Sequence, residues 1–234
     1  MLRRIQTTVG YGLGYARLNL APRPHREPPL PRTERDPNSA VLLIPGFLGT
    51  NHVMVKYQTL FHRDGIRAYT VNTGLYSAMS FGVAAELVVR RIRRIREERP
   101  GLMRLALVGH SQGGLLGYDL LSHDVRHGLE CCLAAVGTPF RGTWAALLGA
   151  WCSPSAFQLL PVHPRYRADP SLRRMKDPFR IFAGAEDLLA PPERCRHPDA
   201  RTIVFPTGHT GLLFEKRVYA AVRDFIAPHL TPLR

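Results

Sequence analysis

The chain has 234 residues, enough for one domain with a full hydrophobic core and no need of disulfides or metals. Its 45% hydrophobic and 21% charged content is that of an ordinary globular chain, and no run of about 18 apolar residues is present to cross a membrane as a helix. The formal net charge of +14 reads first as a solvated basic surface and alternatively as one that attracts anionic lipid or an acidic substrate, whereas the lack of groove-reading motifs and of aromatics interleaved with the basic residues argues against nucleic-acid binding.

Residues 1–38 read as a basic N-terminal segment followed by a linker. Arg3 and Arg4 give a positive start, but Ile5 to Leu20 carries Gln6, Thr7, Thr8, Arg17 and Asn19. A secretory leader needs an uninterrupted apolar core and a small-residue cleavage site, and neither is clear here. The expectation is a non-cleaved N-terminus, with a cytoplasmic or peripheral-membrane location favoured and export left open. A short amphipathic helix, on a membrane surface or packed on the domain, fits the same residues. Pro22, Pro24, Pro28, Pro29, Pro31 and Pro37 exclude regular structure over residues 21–38.

From residue 39 to 234 short apolar runs alternate with helical patterns. The predicted strands are Ala40–Ile44, Arg67–Val71, Arg104–Val108, Leu133–Val136, Phe179–Ala183 and Thr202–Phe205. Most are continuous apolar runs, as in strands covered on both faces. The clearest helix is Phe81–Arg99, with Ala84, Val88, Ile92 and Ile95 on one stripe and Pro100-Gly101 as its stop. Further helices are expected over Gly114–Ser122 and Phe214–Ile226. Alternation of this kind implies a mostly parallel sheet of about six strands with helices on both faces. The stretch from Arg141 to Asp177 breaks the rhythm. It carries Trp144, Leu147, Leu148, Trp151, Phe157, Leu159 and Leu160, then Arg165, Arg167, Arg173 and Arg174. Its apolar content argues for half-buried helices forming a short lid over a site at about residues 141–177. Trp144, Leu147, Leu148, Trp151 and Phe157 are the expected lining of a substrate pocket there.

The chemistry concentrates in three places. Gly109-His110-Ser111-Gln112-Gly113 follows Leu105-Ala106-Leu107-Val108 directly and precedes a helix. G-x-S-x-G between strand and helix is the pattern of a nucleophile elbow, a strained turn that raises the serine Oγ above the sheet. Asp187 follows the fifth strand and His209 the sixth, so all three residues stand at the carboxyl ends of strands, where such sheets gather ligands. His209 is the expected base and Asp187 the expected acid that orients it; Glu186 is the near rival for the acid and Asp199 a weaker one. Of the remaining histidines, His110 reads as structural. His52, His62, His123, His127, His163, His197 and His229 read as solvated. Pro45-Gly46-Phe47-Leu48-Gly49 follows the first strand, and Gly46 lets its backbone approach the site, so the N–H groups of Phe47 and Gln112 are the expected oxyanion donors. Cys131, Cys132, Cys152 and Cys195 show no metal-ligand spacing, so neither a metal nor a cofactor is expected. Cys131 and Cys132 open a strand and read as buried free thiols, while pairing of Cys152 with Cys195 stays open.

These segments, with Gly137-Thr138-Pro139-Phe140-Arg141-Gly142-Thr143, Gly184-Ala185-Glu186-Asp187 and Gly208-His209-Thr210-Gly211-Leu212-Leu213, resemble the triacylglycerol lipase/esterase branch of the α/β-hydrolase superfamily. The resemblance covers about residues 40–227. It implies an α/β-hydrolase fold and cleavage of small-molecule or lipid carboxylic esters through an acyl-enzyme on Ser111. It also implies a lid after the Gly-Thr-Pro segment. Where that branch has His-Gly before the oxyanion residue, this chain has Pro45-Gly46. Two other readings use the same fold: an acyltransferase that passes the acyl group to an alcohol or amine, and a catalytically silent lipid- or partner-binding protein.

Overall fold

The strands owe their continuous apolar runs to a sheet buried on both faces. In the computed structural model, which describes residues 28–123, 128–166 and 175–231, successive side chains of the first five strands alternate between two cores, as the pleat requires, while the edge strand Arg201–Phe205 packs Ile203 and Phe205 on one of them. Ala40, Leu42 and Ile44 of β1 (Ser39–Ile44) enter one core with Leu105, Leu107, Leu133 and Ala135. Val41 and Leu43 enter the other with Ala106, Val108, Ala134 and Val136. The sheet runs β2 (Ala68–Thr70), β1, β3 (Arg104–His110), β4 (Glu130–Val136), β5 (Phe179–Gly184), β6 (Arg201–Phe205), and every neighbouring pair is parallel. All the predicted strands are present, with ends shifted by a few residues. Cys131 and Cys132 are buried free thiols in β4, as expected; Cys152 and Cys195 are also free, the former exposed and the latter buried.

Helices α1 (Val55–Arg63) and α6 (Lys216–Leu230) cover one face, α3 (Phe81–Glu98) and α4 (Gln112–Ser122) the other. The predicted stripe of α3 is buried, and its start is capped by Ser80, whose hydroxyl accepts from Val83 N–H at 3.2 Å. Helix α1 escaped the sequence reading because two of its four buried residues are polar. Tyr57 and Phe61 are joined there by Gln58 and His62, so the apolar stripe is broken. The expectation that His62 is solvated is therefore corrected. It is buried, with its ring nitrogens 2.8 and 3.0 Å from the carbonyl oxygens of Pro29 and Ala68. His197 departs likewise from the solvated reading. It is half-buried among Tyr118, Phe140 and Phe179, with ring centroids 5.0–5.3 Å away, because an imidazole presents an apolar face.

Residues 28–38 hold no helix or strand, yet they are fastened to the domain. Arg99 forks onto Glu34 with bonds of 3.1 and 2.6 Å, and Arg104 donates to Asp36 at 2.7 Å. The described part of the insertion between β4 and β5 forms 3-10 turns at Trp144–Leu148 and Pro164–Tyr166 around α5 (Pro154–Gln158). Helix α5 packs on α2 (Tyr76–Met79), with Ser153 Oγ donating to the Ala78 carbonyl at 2.6 Å. The segment expected as an N-terminal amphipathic helix, His127 and the basic residues Arg167, Arg173 and Arg174 lie outside the described residues. No described helix is long and apolar enough to cross a membrane.

Candidate active site

The chain leaves β1 for β2 on one side, then returns to place β3 on the other. At this reversal the loops beyond β1 and β3 diverge, and a crevice opens at the carboxyl ends of the strands. Pro45–Gly49 and Ser111 flank it. Ser111 has φ 54° and ψ −122°, the mirror-turn conformation that glycine normally fills, and it caps α4. Its N–H donates to the Val136 carbonyl at 2.8 Å. The glycine pattern has a steric cause. A Cβ on Gly113 would collide with the carbonyl oxygens of Ile44 and Pro45, and one on Gly46 would lie 2.9 Å from Ser111 Cβ. Gln112 is buried and is the first residue of α4, where helix geometry leaves the N–H without an intrahelical acceptor.

Beyond β5 and β6 the predicted acid and base meet. His209 Nδ1 lies 2.6 Å from Asp187 Oδ2, and the Asp187 side chain is wholly buried. The other carboxylate oxygen accepts from the N–H groups of Leu189 at 2.9 Å and Ala190 at 2.7 Å. An ionised carboxylate only accepts, so Nδ1 is the nitrogen that donates, and in the neutral imidazole the Nε2 lone pair is the one left over. The rival acids stand elsewhere: Glu186 is half-buried and Asp199 exposed.

His110 has a structural place, as its position beside the serine predicts. Its ring lies against that of His209 at 4.6 Å between centroids, and its Nε2 is 3.2 Å from the His209 carbonyl oxygen, which fixes Nε2 as the donor. Full burial, and repulsion by His209 when both are charged, hold its pKa well below the usual imidazole range.

Ser111, His209 and Phe47 share the wall of one cavity of about 500 Å³, a size typical of small-ligand sites. The remaining wall is mostly small and apolar, with Ala145, Ala146, Gly149 and Ala156 from the insertion. Of the expected pocket residues only Leu148 lines this space. Trp144, Leu147, Trp151 and Phe157 do not, and each is at least half exposed. The correction follows from helix geometry. Residues three apart eclipse in a 3-10 turn, so the Ala145/Leu148 and Ala146/Gly149 stripes border the cavity, with the largely exposed Leu148 at its open edge, and Trp144 and Leu147 share the third stripe.

No protein-family model matches the chain, and no curated protein matches it in sequence. Solved structures do. The chain is similar to a Bacillus licheniformis lipase in its propeptide form at a TM-score of 0.68 and 14% identity, over 88% of this chain and 53% of that one. The mature form of that lipase matches at 0.64 and 15%, over 88% and 97%. A Paleococcus ferrophilus monoacylglycerol lipase matches at 0.62 and 15%, over 86% and 97%. The chain has the α/β-hydrolase fold. Within that α/β-hydrolase fold, the sequence reading missed Ser77 and Ser155. Gln112 Nε2 donates to the Ser77 carbonyl at 3.1 Å and to Ser155 Oγ. No short-range signal marks either serine, since both contacts bridge more than 30 residues of chain.

Proposed function

We propose that this α/β-hydrolase-fold chain is a serine hydrolase of carboxylic esters. The Asp187–His209 bond of 2.6 Å, at a cavity shared with a serine in a strained turn, carries the reading. The lipase and esterase character of the structural neighbours supports it. Ser111 Oγ attacks the ester carbonyl carbon while His209 Nε2 takes its proton. The carbonyl oxygen becomes an oxyanion held by the N–H groups of Phe47 and Gln112. Its collapse breaks the bond to the alkoxide, which leaves with the proton from His209. Water then attacks the acyl-enzyme by the same steps and frees Ser111. Asp187 stays ionised, fixing the imidazole tautomer and stabilising the imidazolium.

The apolar wall suits an acyl chain rather than a charged substrate. Leu148, Trp151, Leu75 and Leu188 are each at least 75% exposed, and water-facing side chains of this size favour a substrate presented from an apolar phase. With the basic charge, an anionic membrane surface is the fitting source. Sedimentation with anionic but not neutral vesicles is the expected result, and equal recovery from both would remove that element.

The central test is hydrolysis of nitrophenyl esters from two to sixteen carbons by the wild type and Ser111→Ala. Turnover by the wild type and its loss in the variant are expected. Undiminished turnover by Ser111→Ala would refute the serine mechanism; a wild type inert on every ester would refute ester hydrolysis.

A further inference from the structure

The oxyanion side of the cavity leans on one buried hydroxyl. The loop after β1 makes a tight turn, closed by Gly49 N–H on the Gly46 carbonyl at 2.9 Å, with Leu48 at φ 55°. A positive φ at the third residue of such a turn is a place for glycine, and a leucine there is strained. The strain is held by Ser77. Its Oγ accepts from Leu48 N–H at 2.7 Å and donates to the Gly74 carbonyl at 2.7 Å, and the residue has no exposed surface. The same segment grips the next residue of the loop. The Gly49 carbonyl accepts from Gly74 N–H at 3.0 Å and from Thr73 Oγ1 at 3.2 Å. The Ser77 carbonyl meanwhile receives the Gln112 side chain at 3.1 Å. One residue of α2 therefore touches both parts of the chain that supply the expected oxyanion donors.

We propose that Ser77 is a positioning residue that pre-sets the oxyanion hole by locking the Phe47–Leu48 peptide. The proposal rests on the ester-hydrolase reading above. With Leu48 N–H committed to Ser77, the turn keeps its positive φ, and on the ester-hydrolase reading this fixes the neighbouring Phe47 N–H as an oxyanion donor. Without the hydroxyl, the Phe47–Leu48 peptide turns over to relieve Leu48, and the adjoining Gly46–Phe47 peptide, which carries the Phe47 N–H, re-aims as the turn re-forms. A donor that is misaimed costs the charged transition state and spares the neutral ester. The turn supplies Phe47 and Leu48 to the cavity wall, while the insertion supplies Ala145, Ala146, Gly149 and Ala156, so most of the wall for an acyl chain lies outside the turn.

The test compares wild type, Ser111→Ala, Ser77→Ala and the double variant Ser77→Ala/Leu48→Gly on one nitrophenyl ester. Binding of a trifluoromethyl ketone that forms an oxyanion with Ser111 is measured alongside. Ser77→Ala is expected to lower kcat by about 10- to 100-fold, with KM within about twofold. Ketone affinity should fall by a similar factor and the pH profile should keep its shape. Leu48→Gly in that background is expected to recover much of the kcat, because glycine holds a positive φ without the hydroxyl. Wild-type kcat in Ser77→Ala overturns the proposal. So does a loss that follows only the melting temperature, or a double variant without recovery. A wild type that turns over no ester, or an active Ser111→Ala, defeats the underlying reading instead, and is seen before Ser77 is touched.

Discussion

Replacing Ser111 by glycine should make the protein more stable while abolishing turnover. The residue sits at φ 54° and ψ −122°, where a Cβ costs about 1–3 kcal/mol. Glycine removes that cost, and its freer unfolded chain returns about 0.4–1 kcal/mol. The net expectation is a gain of about 1 kcal/mol, or roughly 2–4 °C in Tm for a domain of this size. Ser111→Ala is the control. It loses the same hydroxyl but keeps the Cβ and the strain, so its stability should stay within about 0.5 kcal/mol of wild type. Urea unfolding of the three proteins at neutral pH reads both differences, and nitrophenyl-ester turnover reads the loss of the nucleophile. A glycine variant no more stable than the alanine variant would refute the argument that the elbow stores strain.

Three other perturbations probe the rest of the site. His110 is held neutral in the folded state by burial, whereas an unfolded histidine titrates near pH 6.5. Its folded pKa is depressed, so its stabilising contribution is complete above that pH. It is lost as pH falls, because the unfolded chain takes up a proton that the native state refuses. Wild type should therefore lose about 1.4 kcal/mol per pH unit relative to His110→Gln below about pH 6, and parallel urea midpoints from pH 7 to 5 would contradict this. Asp187→Asn should lower kcat by about 10⁴-fold through loss of the tautomer that the carboxylate fixes; a loss under tenfold in steady-state kinetics would remove Asp187 from the mechanism. Ala146→Phe should shorten the preferred acyl chain, at about fourfold in kcat/KM per methylene excluded, while Trp144→Ser and Trp151→Ser leave the preference unchanged. The opposite pattern across the ester series would restore the tryptophans to the pocket.

Local interactions explain what the sequence reveals. The strands were legible because a sheet with two covered faces needs unbroken apolar runs, such as Val41–Ile44 and Leu105–Val108. The serine turn was legible because its glycines answer to clashes set by the turn itself and by the neighbouring β1 loop. Asp187 and His209 stood out because each lies in the loop just past a strand, and the end of a parallel strand is where the crevice lies. Helix α1 was hidden by Gln58 and His62, polar residues whose burial depends on the Ala68 carbonyl.

The composition, the strand order of chemistry and the serine turn are thus determined by the sequence alone. Only the tertiary structure decides which face of Trp144–Leu148 lines the cavity, which histidine packs against His209, and which hydroxyl braces the loop after β1. A residue's own neighbours in the chain dictate the first group through sterics and burial periodicity. The second group rests on bonds such as Leu48 to Ser77 and His110 to His209, which span 29 and 99 residues and exist only after the sheet has brought its loops together.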